Sequence, residues 1–253
     1  MRIHQFFCLK DNYGVLVHDL ESGQTAAIDA PEAGPVNEAL SATGWQLSHI
    51  LVTHRHHDHI GAVAELVARH GCAVIAPEKA SDTLPGADRY VREGDLVEIG
   101  GLVARVWETP GHCFDHVAYH FERERVIFVG DTLFALGCGR VFDGAYDDMW
   151  RSLSRLAALP DDTSVYFGHE YTLSNARFAA SVDPDNTALI AQTARAETLR
   201  GRGDATSPTT IAAEKAANPF LRAGDPDIAR HLKMTGRTAL DVFCELRIRK
   251  NSF

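Results

Sequence analysis

Apolar residues fall in short runs separated by polar turns, and their spacing changes character near residue 172. Before that point, Val15-Leu16-Val17 and Ala26-Ala27-Ile28 predict early strands, and residues 50–53, 72–76, 103–107, 117–121, 126–129 and 165–167 continue the series. Their β-branched and aromatic content favours strand over helix. Ile60, Val63 and Val67 recur at helical spacing and predict a helix just after residue 59; Met149, Trp150, Leu153 and Leu156 predict another over residues 147–159. Past residue 172 no strand is expected. Alanine-rich segments there carry helix-start signals. Ser207-Pro208 and Asp225-Pro226 each join a capping residue to a proline suited to a first turn. Thr235 is the expected cap of a last helix bearing Leu240, Phe243 and Leu246. The pattern predicts a β-rich domain, residues 1–172, and a helical C-terminal domain, residues 173–253, of overall class α/β (α+β).

Composition narrows the picture. A chain of 253 residues with 45% hydrophobic content holds a real core. A formal net charge of −9 argues against general nucleic-acid binding. No stretch approaches the length of a membrane span, and the N-terminal ten residues lack the apolar core of a signal peptide. The five cysteines are odd in number, scattered and form no CxxC, which fits a reducing cytoplasm better than a disulfide framework.

The thirteen histidines change the picture most. Thr53-His54-Arg55-His56-His57-Asp58-His59 follows the apolar run Ile50-Leu51-Val52, and a solvated loop has no reason to gather so many ligand-type side chains. Three more candidates also follow predicted strands: His112 after Thr109-Pro110-Gly111, Asp131 after Ile127-Phe128-Val129-Gly130, and His169 after Val165-Tyr166-Phe167-Gly168. Strand ends project side chains to one edge of a sheet, and the preceding glycines permit sharp turns. Seven donors exceed what one tetrahedral ion takes, so two divalent ions are expected. His54, His56 and His112 are expected on one ion and Asp58, His59 and His169 on the other, with Asp131 bridging. A water shared by both would ionise near neutral pH and act as a hydroxide nucleophile. His57 is expected to face away, Cys113 to act as a small apolar residue, and Asp29 to orient a ligand histidine from behind.

His-x-His-x-Asp-His at residues 54–59, with the later His, Asp and His in order, resembles the metallo-β-lactamase superfamily, which implies an αββα sandwich. More of the chain resembles its glyoxalase II (hydroxyacylglutathione hydrolase) family. The matching segments are Lys10-Asp11-Asn12-Tyr13, Gly130-Asp131-Thr132-Leu133-Phe134, Gly137-Cys138-Gly139-Arg140, Gly168-His169-Glu170-Tyr171-Thr172, Asn218-Pro219-Phe220 and Leu246-Arg247-Ile248-Arg249-Lys250. The resemblance implies hydrolysis of S-D-lactoylglutathione to D-lactate and glutathione in methylglyoxal detoxification. It further implies that Arg140, Tyr171, Arg247 and Lys250 hold the glutathione, whose carboxylates suit cationic side chains. The chain departs from the family at Arg140, often Lys, at Phe142, often Tyr, and at Cys113-Phe114-Asp115-His116, commonly Thr-x-Gly-His.

No protein nucleophile or acid is required, because the metals polarise the carbonyl and the thiolate is a weakly basic leaving group. Zinc is expected first, with iron and manganese fitting the same His/Asp ligands. The substrate is a small molecule, and the chain is expected to be monomeric. Rival readings are a β-lactamase, a persulfide dioxygenase of the same superfamily, and a non-catalytic metal-stabilised binding module. Metal content and thioester turnover separate them. For Arg247 and Lys250, a solvated charged tail is the plain alternative.

Overall fold

The computed structural model describes all residues, Met1–Phe253. The chain forms two compact units: residues 1–108 with 114–130, and residues 109–113 with 131–253.

The first unit opens with strands β1 (Arg2–Cys8), β2 (Asn12–His18) and β3 (Gln24–Ile28), then helix α1 (Ala33–Thr43), strand β4 (Gln46–Leu51), helices α2 (His57–Ile60) and α3 (Val63–His70), and strands β5 (Ala73–Pro77) and β6 (Arg89–Val91). Strands β7 (Leu96–Ile99), β8 (Leu102–Glu108), β9 (Val117–Phe121) and β10 (Val126–Phe128) complete it. The first six strands form one mixed sheet in sequence order, antiparallel from β1 to β3 and parallel from β3 to β6. Parallel neighbours need a crossover, and α1 supplies one between β3 and β4 while α3 supplies the next. The apolar faces of α1 (Val36, Leu40) and α3 (Val63, Leu66) cluster with Leu16, Ile50, Val52 and Val74 of the sheet side. Strands β7 to β10 form an antiparallel meander. All five residues of β9 are buried, as are the three of β10.

The second unit holds the hairpin β11 (Leu133–Phe134) and β12 (Gly137–Cys138), helix α4 (Tyr146–Ala157), strand β13 (Ser164–Tyr166), helices α5 (Thr172–Val182) and α6 (Thr187–Gly201), strand β14 (Thr209–Thr210), and helices α7 (Ile211–Ala217), α8 (Pro226–His231) and α9 (Ala239–Asn251). Met149, Leu153 and Leu156 are the buried face of α4. Leu136 packs with Ala176 and Ala179 of α5, Leu189 of α6 and Ala217 of α7.

Several expectations for the C-terminal part need correction. Ser207-Pro208 does not start a helix: the bond is cis and leads into β14, which pairs antiparallel with β13, so a strand does occur past residue 172. The helix begins after Thr210, whose hydroxyl accepts from Ala213 N at 3.2 Å. Thr238, not Thr235, caps α9, where it forms a reciprocal capping box with Asp241. Asp225 caps α8 with Pro226 in the first turn, as its sequence suggests.

Candidate metal centre

In the first unit the donors emerge where β4 leaves the sheet. Ile50, Leu51 and Val52 are fully buried. Val52 N still donates to Ile75 O at 2.9 Å, and Thr53 O accepts from Val117 N at 2.9 Å, so the chain is anchored up to the first histidine. Asp29, just past β3 and in the left-handed region at φ 61°, reaches across to this point. Its Oδ1 accepts from Thr53 N at 2.7 Å; its Oδ2 accepts from Thr53 Oγ1 at 2.8 Å and from His59 Nδ1 at 2.7 Å.

These bonds fix two tautomers. A carboxylate only accepts, so the His59 proton sits on Nδ1 and the Nε2 lone pair is left bare. Thr53 has one hydroxyl proton and gives it to Asp29. Its oxygen therefore accepts from His54 Nδ1 at 3.0 Å, which leaves His54 Nε2 bare as well. His54 Nε2 lies 3.1 Å from His56 Nδ1, and His59 Nε2 lies 3.7 Å from Asp58 Oδ2. Asn12 Nδ2 donates to both Asp58 O and Asp58 Oδ2 at 3.1 Å and orients that carboxylate.

Around these donors, His116 is buried and stacks on His54 with ring centroids 4.8 Å apart. Gly130, at φ 46°, has no room for a Cβ, which would meet Thr53 Oγ1 and His116 Nε2 at 2.7 Å each. His57 is exposed on α2, pointing away as expected. Arg55 is tied down: its N donates to Asp115 Oδ2 at 2.9 Å and its Nη1 to Asp115 Oδ1 at 2.8 Å.

The second unit carries the other three donors together. His112 Nδ1 donates to Arg140 O at 2.8 Å, so its Nε2 is bare, and that nitrogen lies 3.5 Å from Asp131 Oδ2. His169 Nε2 lies 3.3 Å from the same oxygen. Imidazole nitrogens and a carboxylate oxygen gathered at this separation are donors of the kind a divalent cation takes. Gly111 occupies the left-handed half of backbone space at φ 141°, so it joins Gly130 in a conformation that a larger residue would resist.

The residues expected to hold substrate also lie in this unit. Arg140 is exposed, with its guanidinium 5.9 Å from the Phe142 ring centroid. Phe142 in turn sets its edge against His112 at 5.2 Å. Tyr171 is exposed and stacks flat on His169, 4.8 Å away with 1° between the planes. Arg247 and Lys250 are not a solvated tail. Arg247 is only 4% exposed and donates through Nη1 to Cys138 O at 2.8 Å and Gly139 O at 3.3 Å. Lys250 Nζ donates to Ser174 O at 3.1 Å and sits 5.4 Å from the Phe178 and Phe253 rings. Burial, with Arg247 and Arg177 nearby, pulls its ammonium down to about 8.

Sequence reading missed Thr53, Asn12 and Asp115 as orienting residues. A hydroxyl, an amide and a carboxylate of this kind become legible only when the fold brings them to the group they hold.

Residues 22–169 match the metallo-β-lactamase superfamily, and residues 170–253 match the hydroxyacylglutathione hydrolase C-terminus. The chain is 56% identical over 252 residues to the hydroxyacylglutathione hydrolase of Methylobacterium nodulans, covering 99% of each chain. It is 52% identical over 253 residues to that of Rhizobium etli, covering 100% of this chain and 99% of the relative. Among solved structures, ETHE1 from Myxococcus xanthus superposes with a TM-score of 0.72 at 28% identity, covering 99% of this chain and 92% of that one. TTHA1623 in a di-iron-bound form gives a TM-score of 0.63 at 25% identity, covering 87% and 100%. The likenesses and the mixed sheets define an α/β sandwich fold with a helical C-terminal region.

Proposed function

The chain belongs to the hydroxyacylglutathione hydrolases of the metallo-β-lactamase superfamily, and we infer that it hydrolyses S-D-lactoylglutathione to D-lactate and glutathione. The role is methylglyoxal detoxification, and the chain carries His and Asp groups that can bind a divalent metal. Rival superfamily activities are disfavoured because identity above half extends over the full chain to hydroxyacylglutathione hydrolases, helical region included.

We propose two ions per chain, zinc first among the candidates. His54, His56 and His112 are assigned to one, Asp58, His59 and His169 to the other, and Asp131 to both. The observation that carries this reading is the set of committed imidazoles. His54, His59 and His112 each place Nδ1 against a fixed acceptor, which in the neutral ring leaves the Nε2 lone pair as the ligating atom. The di-iron form of the similar TTHA1623 supports a count of two. Metal held by these residues would supply an acidified water near neutral pH and polarisation of the thioester carbonyl.

The protein's own contribution is orientation. Asp29 and Thr53 hold two imidazoles in the tautomer a metal requires, and Asn12 aims Asp58. Arg140, Tyr171, Arg247 and Lys250 are proposed to hold the glutathione, as charge-assisted partners for its carboxylates and as an aromatic wall beside His169. Arg247 also braces the turn ahead of Arg140 through its bonds to Cys138 and Gly139. In this proposal residues 1–172 carry all the metal donors, and recognition is shared between Arg140 and Tyr171 there and Arg247 and Lys250 of the helical domain, residues 173–253. No helix is long and apolar enough to cross a membrane. The five free cysteines fit a reducing compartment, and we assign the chain to the cytoplasm as a monomer that binds no nucleic acid.

Separating chemistry from recognition tests the assignment. His59→Ala is expected to lower kcat by orders of magnitude, and Lys250→Met to raise KM with kcat largely kept. The reverse pattern would overturn the division of roles.

A further inference from the structure

The hairpin of β11 and β12 joins Asp131 to Arg140, and its turn is poorly suited to its sequence. Leu133 pairs with Cys138 and Phe134 with Gly137, leaving Ala135 and Leu136 as a two-residue connection. Leu136 sits at φ 59°, a conformation normally left to glycine or asparagine. Local preference therefore does not account for the turn, and three buried polar side chains grip it from outside.

Glu214 of α7 accepts the Leu136 amide proton on Oε2 at 2.8 Å. Asn218 Nδ2 donates to Phe134 O at 3.2 Å, to Gly137 O at 2.9 Å and to Glu214 Oε2 at 2.9 Å. Asn175 of α5 donates to Ala135 O at 3.1 Å, and Thr209 Oγ1 donates to Glu214 Oε1 at 2.7 Å. Every backbone polar group bound in this way lies between residues 134 and 137. The chain then runs through Cys138 and Gly139, with Gly139 N on Thr132 O at 3.2 Å, to Arg140, whose carbonyl holds His112. Glu214 is 2% exposed, and burial pushes its carboxyl up to about 7 despite these donors. A buried acid of this kind is costly to keep unless it has work to do.

We propose that Glu214 is a positioning residue for glutathione recognition: through the Leu136 amide and Asn218 it sets the hairpin, and the hairpin places Arg140. The proposal rests on Arg140 being a glutathione-binding residue, as assigned above. Glu214→Gln is the conservative variant. Its amide oxygen can take the Leu136 and Asn218 donors while its NH2 group faces Thr209 Oγ1, which can turn to accept. Glu214→Leu removes both acceptors.

The test uses the full-length, zinc-loaded protein, with kcat and KM for S-D-lactoylglutathione, metal content and thermal midpoint read together. Glu214→Gln is expected to stay within about twofold of wild type, while Glu214→Leu raises KM by about tenfold, the scale of one lost buried hydrogen bond. Metal content should hold. In an Arg140→Ala background the Glu214→Leu penalty should largely vanish, because both changes remove the same contact. A purely structural residue would not produce that coupling. If Glu214→Leu does not fold, Glu214→Asp, whose shorter arm cannot hold Thr209 and Leu136 together, takes its place in the same cycle. Penalties that multiply independently, or an unchanged KM in a folded variant, would overturn the proposal. An inactive wild type would instead overturn the functional reading on which it depends.

Discussion

Asp29→Asn removes a charge without disturbing the backbone, because asparagine tolerates the left-handed conformation that residue 29 adopts at φ 61°. Three donors converge on the native carboxylate, all within 2.8 Å. An amide cannot serve them all. With its NH2 group at the Oδ1 position, the buried Thr53 N–H faces another donor. With NH2 at the Oδ2 position, His59 must accept at Nδ1, and its proton moves to Nε2, the nitrogen a metal needs. Either orientation sacrifices about one hydrogen bond to a charged group and strains a second, so unfolding free energy should fall by about 2–4 kcal/mol. Metal affinity should fall by about 10- to 100-fold, the usual effect of losing an outer partner of a ligand histidine. Urea unfolding of the metal-free protein measures the first quantity, and zinc titration against a chromophoric chelator measures the second. A stability loss under about 0.5 kcal/mol together with unchanged zinc affinity would refute the reasoning.

Lys250 gives a pH prediction. Its folded-state pKa is lowered to about 8, chiefly by burial, so the ammonium is lost as pH rises through that value. KM for the glutathione thioester should therefore be lowest below about pH 7 and climb above 8, while Lys250→Met shows a raised KM with no such climb; the same profile in both proteins would remove Lys250 from recognition. Gly111→Ala should destabilise by about 3 kcal/mol or more, combining overpacking with backbone strain. The new Cβ would meet Met149 Cα and Cβ at 2.5 Å at a residue with φ 141°, and a urea midpoint within error of wild type would contradict it.

The parts of this protein most legible in its sequence are those where chemistry and periodicity coincide locally. The histidine cluster follows a wholly buried strand end, and residues 117–121 are as buried as their apolar run implies. Asp29 was recognisable as a partner for one of the candidate histidines, and it accepts from His59 Nδ1. Boundaries were less legible. β1 has the mixed sequence Arg-Ile-His-Gln-Phe-Phe-Cys and mostly intermediate burial, with Phe7 exposed, so no clean alternation marks it. Ser207-Pro208 imitates a helix start, yet the following Thr209-Thr210 pairs with β13, a contact no local signal announces. Thr235 and Thr238 are equivalent as sequence caps; only Asp241, three residues after Thr238, completes a capping box, and that clue was available.

Long-range polar contacts were invisible. Glu214 reads as an ordinary helix residue, and its bond to Leu136 spans 78 positions. Arg247 reads as part of a charged tail, but the fold buries it against carbonyls more than 100 residues away. Residues of this kind are specified by the packed structure and not by their neighbours in sequence.

Turnover of S-D-lactoylglutathione by the purified full-length chain, with elemental analysis of the same sample, is the most direct measurement. Two divalent ions per chain are expected, with D-lactate and free glutathione released in equal amounts. Full activity at one ion per chain, or a folded and metal-loaded protein that leaves the thioester intact, would contradict the proposed two-metal hydrolase.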